Sequence, residues 1–249
     1  MVPSRRQFSQ PRTFSNTSFQ VIDSSTLIEE ERIPSYKAQQ YYPAFIGEIV
    51  NTKYQVIGKL GYGSSSTVWL CWDLENHQYV ALKINVNSSA SHRELPIYDR
   101  INQIRSNHPG QKCLRMLLDS FDISGPFGRH HCLVHQPLGM SLYDLQMRAR
   151  DQVFSKDVLR TSIRQLLAAL DFLHMEAHII HTDLQPSNLL MGIDDQSILS
   201  EYEKDELEHP IPRKIAEDRT IYLSRPPPFT FGPPVLCDFS EARLGEEEK

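Results

Sequence analysis

The chain has 249 residues, 40% of them hydrophobic, and a formal net charge of -5, which suits one large or two small domains with a sizeable core. That acidic balance excludes direct nucleic-acid binding and an anionic membrane as the main business of the surface, since neither attracts negative charge. Cys71, Cys113, Cys132 and Cys237 form no C-x-x-C pair, so neither a disulfide framework nor a zinc ribbon is expected, and a reducing intracellular compartment fits best. No apolar run reaches the eighteen or so residues that cross a bilayer, so no membrane partner is expected.

Residues 1–45 open with Arg5, Arg6, Arg12 and several Ser before the first acid, Asp23. A transit peptide shares that composition, but without an amphipathic period the expectation is a largely disordered or extended arm. Glu29-Glu30-Glu31, Pro34 and Tyr41-Tyr42-Pro43 then form an extended lead-in, and folded structure is expected from Ile46. From Tyr54 the pattern turns apolar and β-branched. Leu60-Gly61-Tyr62-Gly63-Ser64-Ser65-Ser66-Thr67-Val68-Trp69-Leu70 reads as two strands joined by a glycine-rich turn. The backbone amides of such a turn can approach nucleotide phosphates, although a plain tight turn would also use its glycines. Val80-Ala81-Leu82-Lys83-Ile84 sets a Lys inside an apolar strand, a pattern also shown by edge strands.

A helix is expected between Ser91 and Ile104, with Pro96 tolerable only in its first turn, where a missing amide costs little. Residues 114–123 and 131–138 read as two further strands around Ser124-Gly125-Pro126, completing a five-stranded sheet. The cluster His130, His131, Cys132 and His135 suggests a metal at first sight. His131 and His135 share a strand face but stand roughly 13 Å apart at about 3.3 Å per residue, too far to chelate one ion, so these side chains read as structural.

Ser141 followed by Asp144 has the form of a capping box for a short helix. Ser155 caps a longer one, whose Leu159, Ile163, Leu166, Leu167, Leu170 and Leu173 make a stripe that reads as plain core packing, ending near Met175. Apolar Ile179-Ile180 then leads into His181-Thr182-Asp183-Leu184-Gln185-Pro186-Ser187-Asn188-Leu189-Leu190. An Asp and an Asn beside a Pro can be an ordinary surface turn. The insertion 191–234 carries seven prolines, nine acids and five Lys or Arg; a short helix is expected over 195–207, with Ile198, Leu199 and Tyr202 on one side, and loop elsewhere. The chain returns through the apolar strand Val235-Leu236-Cys237 to Asp238-Phe239-Ser240.

Taken together these stretches resemble the ordered motifs of eukaryotic protein kinases. Gly61 to Val68 is similar to the glycine-rich loop, Val80 to Ile84 to V-A-I-K, His181 to Asn188 to H-R-D-L-x-x-x-N, and Asp238-Phe239-Ser240 to D-F-G. Within the superfamily the chain resembles SR-protein kinases of fungal type. The signs are Gly61 to Leu70, Asp119-Ser120-Phe121-Asp122-Ile123-Ser124-Gly125, and Thr182 in place of the usual Arg. The resemblance implies an α+β protein-kinase-like fold, with a five-stranded antiparallel N-lobe sheet plus helix C (46–139) and a partial, mostly helical C-lobe (140–249).

The same resemblance implies a serine/threonine kinase using ATP and Mg2+, acting on protein substrates such as Arg-Ser-rich splicing factors, in cytoplasm or nucleus and as a monomer. Asp183 would be the base, Lys83 would hold the phosphates, Glu94 would orient Lys83, and Asn188 with Asp238 would bind the metal. Gly61, Tyr62, Gly63, Ser64, Ser65, Ser66, Val68, Ala81, Lys83 and Leu190 would contact the nucleotide, with backbone groups of Gln136 and Leu138 on the adenine edge. Three departures stand against these matches. Gln185 replaces the Lys that contacts the transferred phosphate, which weakens charge stabilisation though Gln still donates a hydrogen bond. Ser240 replaces a turn Gly. Eleven residues follow Asp238, too few for an activation loop and A-P-E, so an impaired fragment of a longer kinase is expected, with a pseudokinase or regulatory nucleotide-binding module as the alternative.

Overall fold

The computed structural model describes residues 8–14, 18–87, 93–226 and 229–245; Arg5, Arg6, Ser91 and the Glu-rich run 246–249 lie outside them. The chain divides into two compact units, one of Met1–Ser88, Leu118–Pro137 and Ser197–Pro226, the other of Ser89–Leu117, Leu138–Gln196 and Pro227–Lys249.

The first unit is built on strands β1 (Ile49–Val50), β2 (Tyr54–Tyr62), β3 (Ser66–Asp73), β4 (Gln78–Asn85), β5 (Leu117–Gly125) and β6 (Gly128–His135), in the order β1-β2-β3-β4-β6-β5. Six strands stand where five are expected, because Ile49 and Val50 pair back onto Gln55 and Tyr54 as a short added edge. The β2, β3, β4 and β6 ladders are antiparallel, and Lys83 lies opposite Val68 on one side and Leu133 on the other.

The described residues of the arm dock on this unit and include two short 3-10 turns, Glu29–Arg32 and Ala38–Gln40. Ala44 and Ile46 join Val56, Trp69 and Leu82 in one buried cluster. Ser9 donates its amide to Leu74 and Gln55 exchanges hydrogen bonds with the Arg12 backbone. The insertion also belongs in part to this unit, not to the C-terminal one. Helix α4 (Ser197–Glu208) buries Leu199 and Tyr202, close to expectation, but the stretch read as loop contains a hairpin of β9 (Arg213–Ile215) and β10 (Thr220–Tyr222). Tyr222 enters the sheet's buried cluster, edge-on to Trp69. Burial of that ring and of the Glu206 ion pairs with Arg213 and Arg225 supplies order that the prolines conceal.

In the second unit α1 (Glu94–Gln103) carries Pro96 in its first turn, where the helix needs no amide. Ser141 and Asp144 close a reciprocal capping box on α2 (Leu142–Arg148), and Ser155 caps α3 (Lys156–Phe172), which runs into a π-turn over Leu173–Ala177. The α3 stripe does not all reach a core. Ala169 and Phe172 are buried, whereas Leu159, Ile163 and Leu167 are exposed. The buried face is the one turned to Gly110, whose α-carbon approaches the Ala168 carbonyl too closely for a side chain. Short strands β7 (Ile179–Ile180), β8 (Leu189–Gly192), β11 (Gly232–Leu236) and β12 (Arg243–Leu244) pair as β11-β8 and β12-β7. Among the described residues no helix is long and apolar enough to cross a membrane.

Candidate functional site

Strand β8 pairs antiparallel with β11, Leu189 opposite Leu236 and Leu190 opposite Val235. That ladder brings together two segments far apart in sequence, because Cys237 donates its amide to the Asn188 carbonyl at 2.8 Å. Asn188 therefore ends one strand as Asp238 follows the other. Leu190 packs with Leu138, Val235 and Cys237 beneath them.

The loop before β8 is held by its own side chains. Asn188 Nδ2 donates to the Asp183 carboxylate and carbonyl, each at 2.9 Å. Gln185 Nε2 donates to both Asp183 carboxylate oxygens, at 3.2 and 2.9 Å. Asp183 is thus a half-buried carboxylate with its position fixed by two amides. Thr182, left-handed at φ 64, donates its hydroxyl to the Glu241 carbonyl at 2.7 Å; a β-branched residue takes that backbone rarely and needs such an anchor.

His181 is buried beneath the loop. Its Nε2 lies 3.0 Å from the Cys237 carbonyl, and Nδ1 accepts the Asp183 amide at 3.4 Å, so the neutral ring carries its proton on Nε2. Burial pushes its pKa below the usual histidine value, partly offset by the Cys237 bond. Phe239 is fully buried between the Tyr98 ring, 5.2 Å away, and the His181 ring, 5.1 Å away. The Phe239 amide donates to Glu94 Oε1 at 3.0 Å. Glu94, buried in the first turn of α1, thereby fixes the backbone that follows Asp238. Asp238 itself is the left-handed residue of this turn, at φ 61, while Ser240 is not among the positive-φ residues described. The Gly to Ser change therefore meets no backbone penalty at this position.

In the other unit the glycine-rich turn closes the β2–β3 hairpin, whose ladder shifts register between Lys59 and Gly61. Gly63 donates to the Ser66 carbonyl at 2.8 Å, and Val86 donates to Ser65 at 2.9 Å. A β-carbon on Gly61 or Gly63 would meet nothing within 4 Å, so a ligand can approach this backbone closely. The ladder sets Val68 opposite Lys83, with Ala81 two residues before it on the same face. Lys83 is buried, and Gln136 is an exposed residue just past β6.

Asn188 offers a carboxamide oxygen, since its nitrogen is committed to Asp183, and Asp238 offers a carboxylate. Two hard oxygen donors suit Mg2+, which keeps several waters and takes its remaining ligands from phosphates. Among the described residues no group of three or more His, Cys, Asp or Glu is gathered for a metal. The clustered histidines have other partners: His130 Nδ1 meets the Asn85 carbonyl and His131 Nδ1 meets Asp122, each at 2.9 Å. The motifs contain His181 and Phe239 but assign them no role, and Tyr98 lies outside them; its one sequence signal is its place a helical turn after Glu94.

Residues 54–200 match the protein kinase domain family. A serine/threonine protein kinase of Aspergillus fumigatus is 41% identical over 97% of this chain and 60% of its own length. The mouse SRSF protein kinase 3 is 37% identical over 68% of this chain and 31% of its own length. A crystal structure of a kinase domain superposes with a TM-score of 0.60 at 23% identity, covering 84% of this chain and 57% of that one, a likeness of fold. The chain spans 60% or less of the length of these curated relatives.

Proposed function

Because this chain belongs to the protein kinase family, we propose that it carries the site of a serine/threonine kinase, binding ATP with Mg2+ and passing the γ-phosphoryl group to protein hydroxyls. The observation that carries this reading is the Asp183 carboxylate, held by Asn188 and Gln185 at the end of the ladder that also delivers Asp238. In the transfer, the substrate oxygen bonds to the γ-phosphorus while the bond to the departing ADP oxygen breaks, and Asp183 receives the hydroxyl proton. Lys83 pairs with the phosphates and Glu94 orients it. Gly61 to Ser66 cradle further phosphate oxygens, with the Ser64 and Ser65 amides at the hairpin tip facing them; Val68, Ala81 and Leu190 contact the base, and the backbone of Gln136 and Leu138 its edge. Bound Mg2+ would neutralise phosphate charge, and Asn188 with Asp238 would hold it. The likeness to SRSF protein kinases supports Arg-Ser-rich proteins as the substrate class.

One observation favours a binding module without catalysis. Gln185, which stands where kinases carry Lys, spends its amide on both oxygens of the base. Transfer of labelled phosphate from ATP to an Arg-Ser-repeat peptide separates the two readings. Asp183→Asn should lower transfer by about 10²- to 10⁴-fold and leave ATP affinity intact, whereas Lys83→Ala should lower ATP affinity. Transfer indifferent to Asp183→Asn would refute the role of Asp183, and ATP binding with no transfer by the unaltered chain would favour the module.

A further inference from the structure

The glycine-rich hairpin is gripped from outside the sheet by the N-terminal arm. Tyr41, itself buried, donates its hydroxyl to the Gly63 carbonyl at 2.9 Å. The described peptides are all trans, so the Ser64 N–H points opposite to the Gly63 carbonyl across the same rigid plane. Whatever fixes that carbonyl therefore aims that amide. The next fixed carbonyl, Ser65, is taken by the Val86 amide from the end of β4, so both flanks of the hairpin tip are tied.

Tyr41 is held in its turn. Its ring lies 5.1 Å from that of Tyr36. Arg219, from the turn between β9 and β10, donates to the Ala38 carbonyl and, at 3.3 Å, to the Tyr41 carbonyl. The Gln40 carbonyl accepts from Asn87, just beyond β4. Burial, with Glu30 and Tyr36 nearby, pushes the Tyr41 phenol up to about 12, so it keeps the proton it donates.

We propose that Tyr41 is a positioning residue for nucleotide phosphate. By fixing the Gly63 carbonyl, it directs the Ser64 amide toward the phosphates that the glycine-rich hairpin receives. The assignment rests on the kinase reading above, and it gives the arm a task in binding rather than in folding alone.

The test compares Tyr41→Phe with Tyr42→Phe. The second removes an equivalent hydroxyl from the neighbouring residue, where it donates to Glu48 at 2.6 Å. Three quantities are measured on the full chain: amide hydrogen exchange of residues 61–66 without nucleotide, and the affinities for Mg·ATP and for adenosine. Losing one hydrogen bond should speed exchange across 61–66 and weaken Mg·ATP, each by about fivefold. Adenosine, which has no phosphate, should bind unchanged, and Tyr42→Phe should leave all three within about twofold. Unchanged exchange in Tyr41→Phe overturns the assignment, as does an equal effect from Tyr42→Phe or an equal loss of adenosine. A wild-type chain that binds no nucleotide overturns the kinase reading and this assignment together. ATP binding that Tyr41→Phe leaves intact overturns the assignment alone.

Discussion

Replacing Lys59 with Met tests how the arm and insertion are fastened to the sheet. Lys59 lies on β2 with its side chain 1% exposed. Its ammonium group is paired with Glu30, lies 3.6 Å from Glu29, and donates to the Tyr222 carbonyl at 3.1 Å. Methionine matches the length of the stem but removes the charge and all its donors. Glu29 keeps Ser224, whose amide and hydroxyl donate to it at 3.0 and 2.7 Å. Glu30 is the group left stranded, buried and charged. Removing one member of a buried pair costs about 3–5 kcal/mol, more than the pair's net worth, because the partner's desolvation is then uncompensated. For a chain of this size each kcal/mol lowers the midpoint by about 2–4 °C, giving a fall of roughly 6–20 °C. Both tryptophans, Trp69 and Trp72, lie on β3 of the same unit, so their fluorescence follows the melt where the change acts. The double variant Lys59→Met with Glu30→Gln should recover part of the loss, since no charge is then buried. A Lys59→Met melt within about 2 °C of the unaltered chain would refute this account of the fastening.

Gly110→Ala should destabilise the second unit by about 1–3 kcal/mol or more, because the new carbon would lie 1.8 Å from the Ala168 carbonyl and neither backbone can yield cheaply; an unchanged urea midpoint by circular dichroism would contradict that packing. His181 binds its proton less readily folded than unfolded, so its contribution is present above about pH 6.5 and is lost as pH falls, at up to about 1.4 kcal/mol per unit. Stability measured between pH 7.5 and 5.5 should therefore fall less steeply in His181→Gln, and equal slopes would remove His181 from the balance. Gln185→Lys should raise peptide phosphorylation about tenfold by restoring a cation beside the transferred phosphate; an unchanged or lower rate would show that the Gln amide serves Asp183 better than the charge serves the phosphate.

Local chemistry was what the sequence made readable. Ser141 and Ser155 announce their helices because a cap is satisfied within three residues, and Pro96 fixes where α1 must begin. The glycine hairpin and the loop from His181 to Asn188 were visible for the same reason, their residue types and spacings being set by short-range geometry. Contacts between distant segments were not. Lys59 meets Glu30 across 29 positions and Tyr222 across 163, so acids that read as a polar lead-in, and prolines that read as loop, gave no sign of a shared partner. The α3 stripe misled in the opposite direction. Its period is helical throughout, but only the side facing Gly110 is buried, and Leu159, Ile163 and Leu167 stand exposed. Periodicity reports that a helix has an apolar face; it does not report which neighbour covers it. Glu94 lies between these cases, since its candidacy followed from the motif order, whereas its burial and its bond to the Phe239 amide, 145 residues away, did not.

The most direct test of the central claim is calorimetric titration of ATP into this chain and into Asp238→Asn, with and without magnesium. A Mg2+-dependent nucleotide site requires that ATP binding by the unaltered chain need Mg2+ and weaken tenfold or more in the variant, where the carboxylate beside the Asn188–Cys237 hydrogen bond has lost its charge. Binding that needs no magnesium, or that Asp238→Asn leaves unchanged, would contradict it.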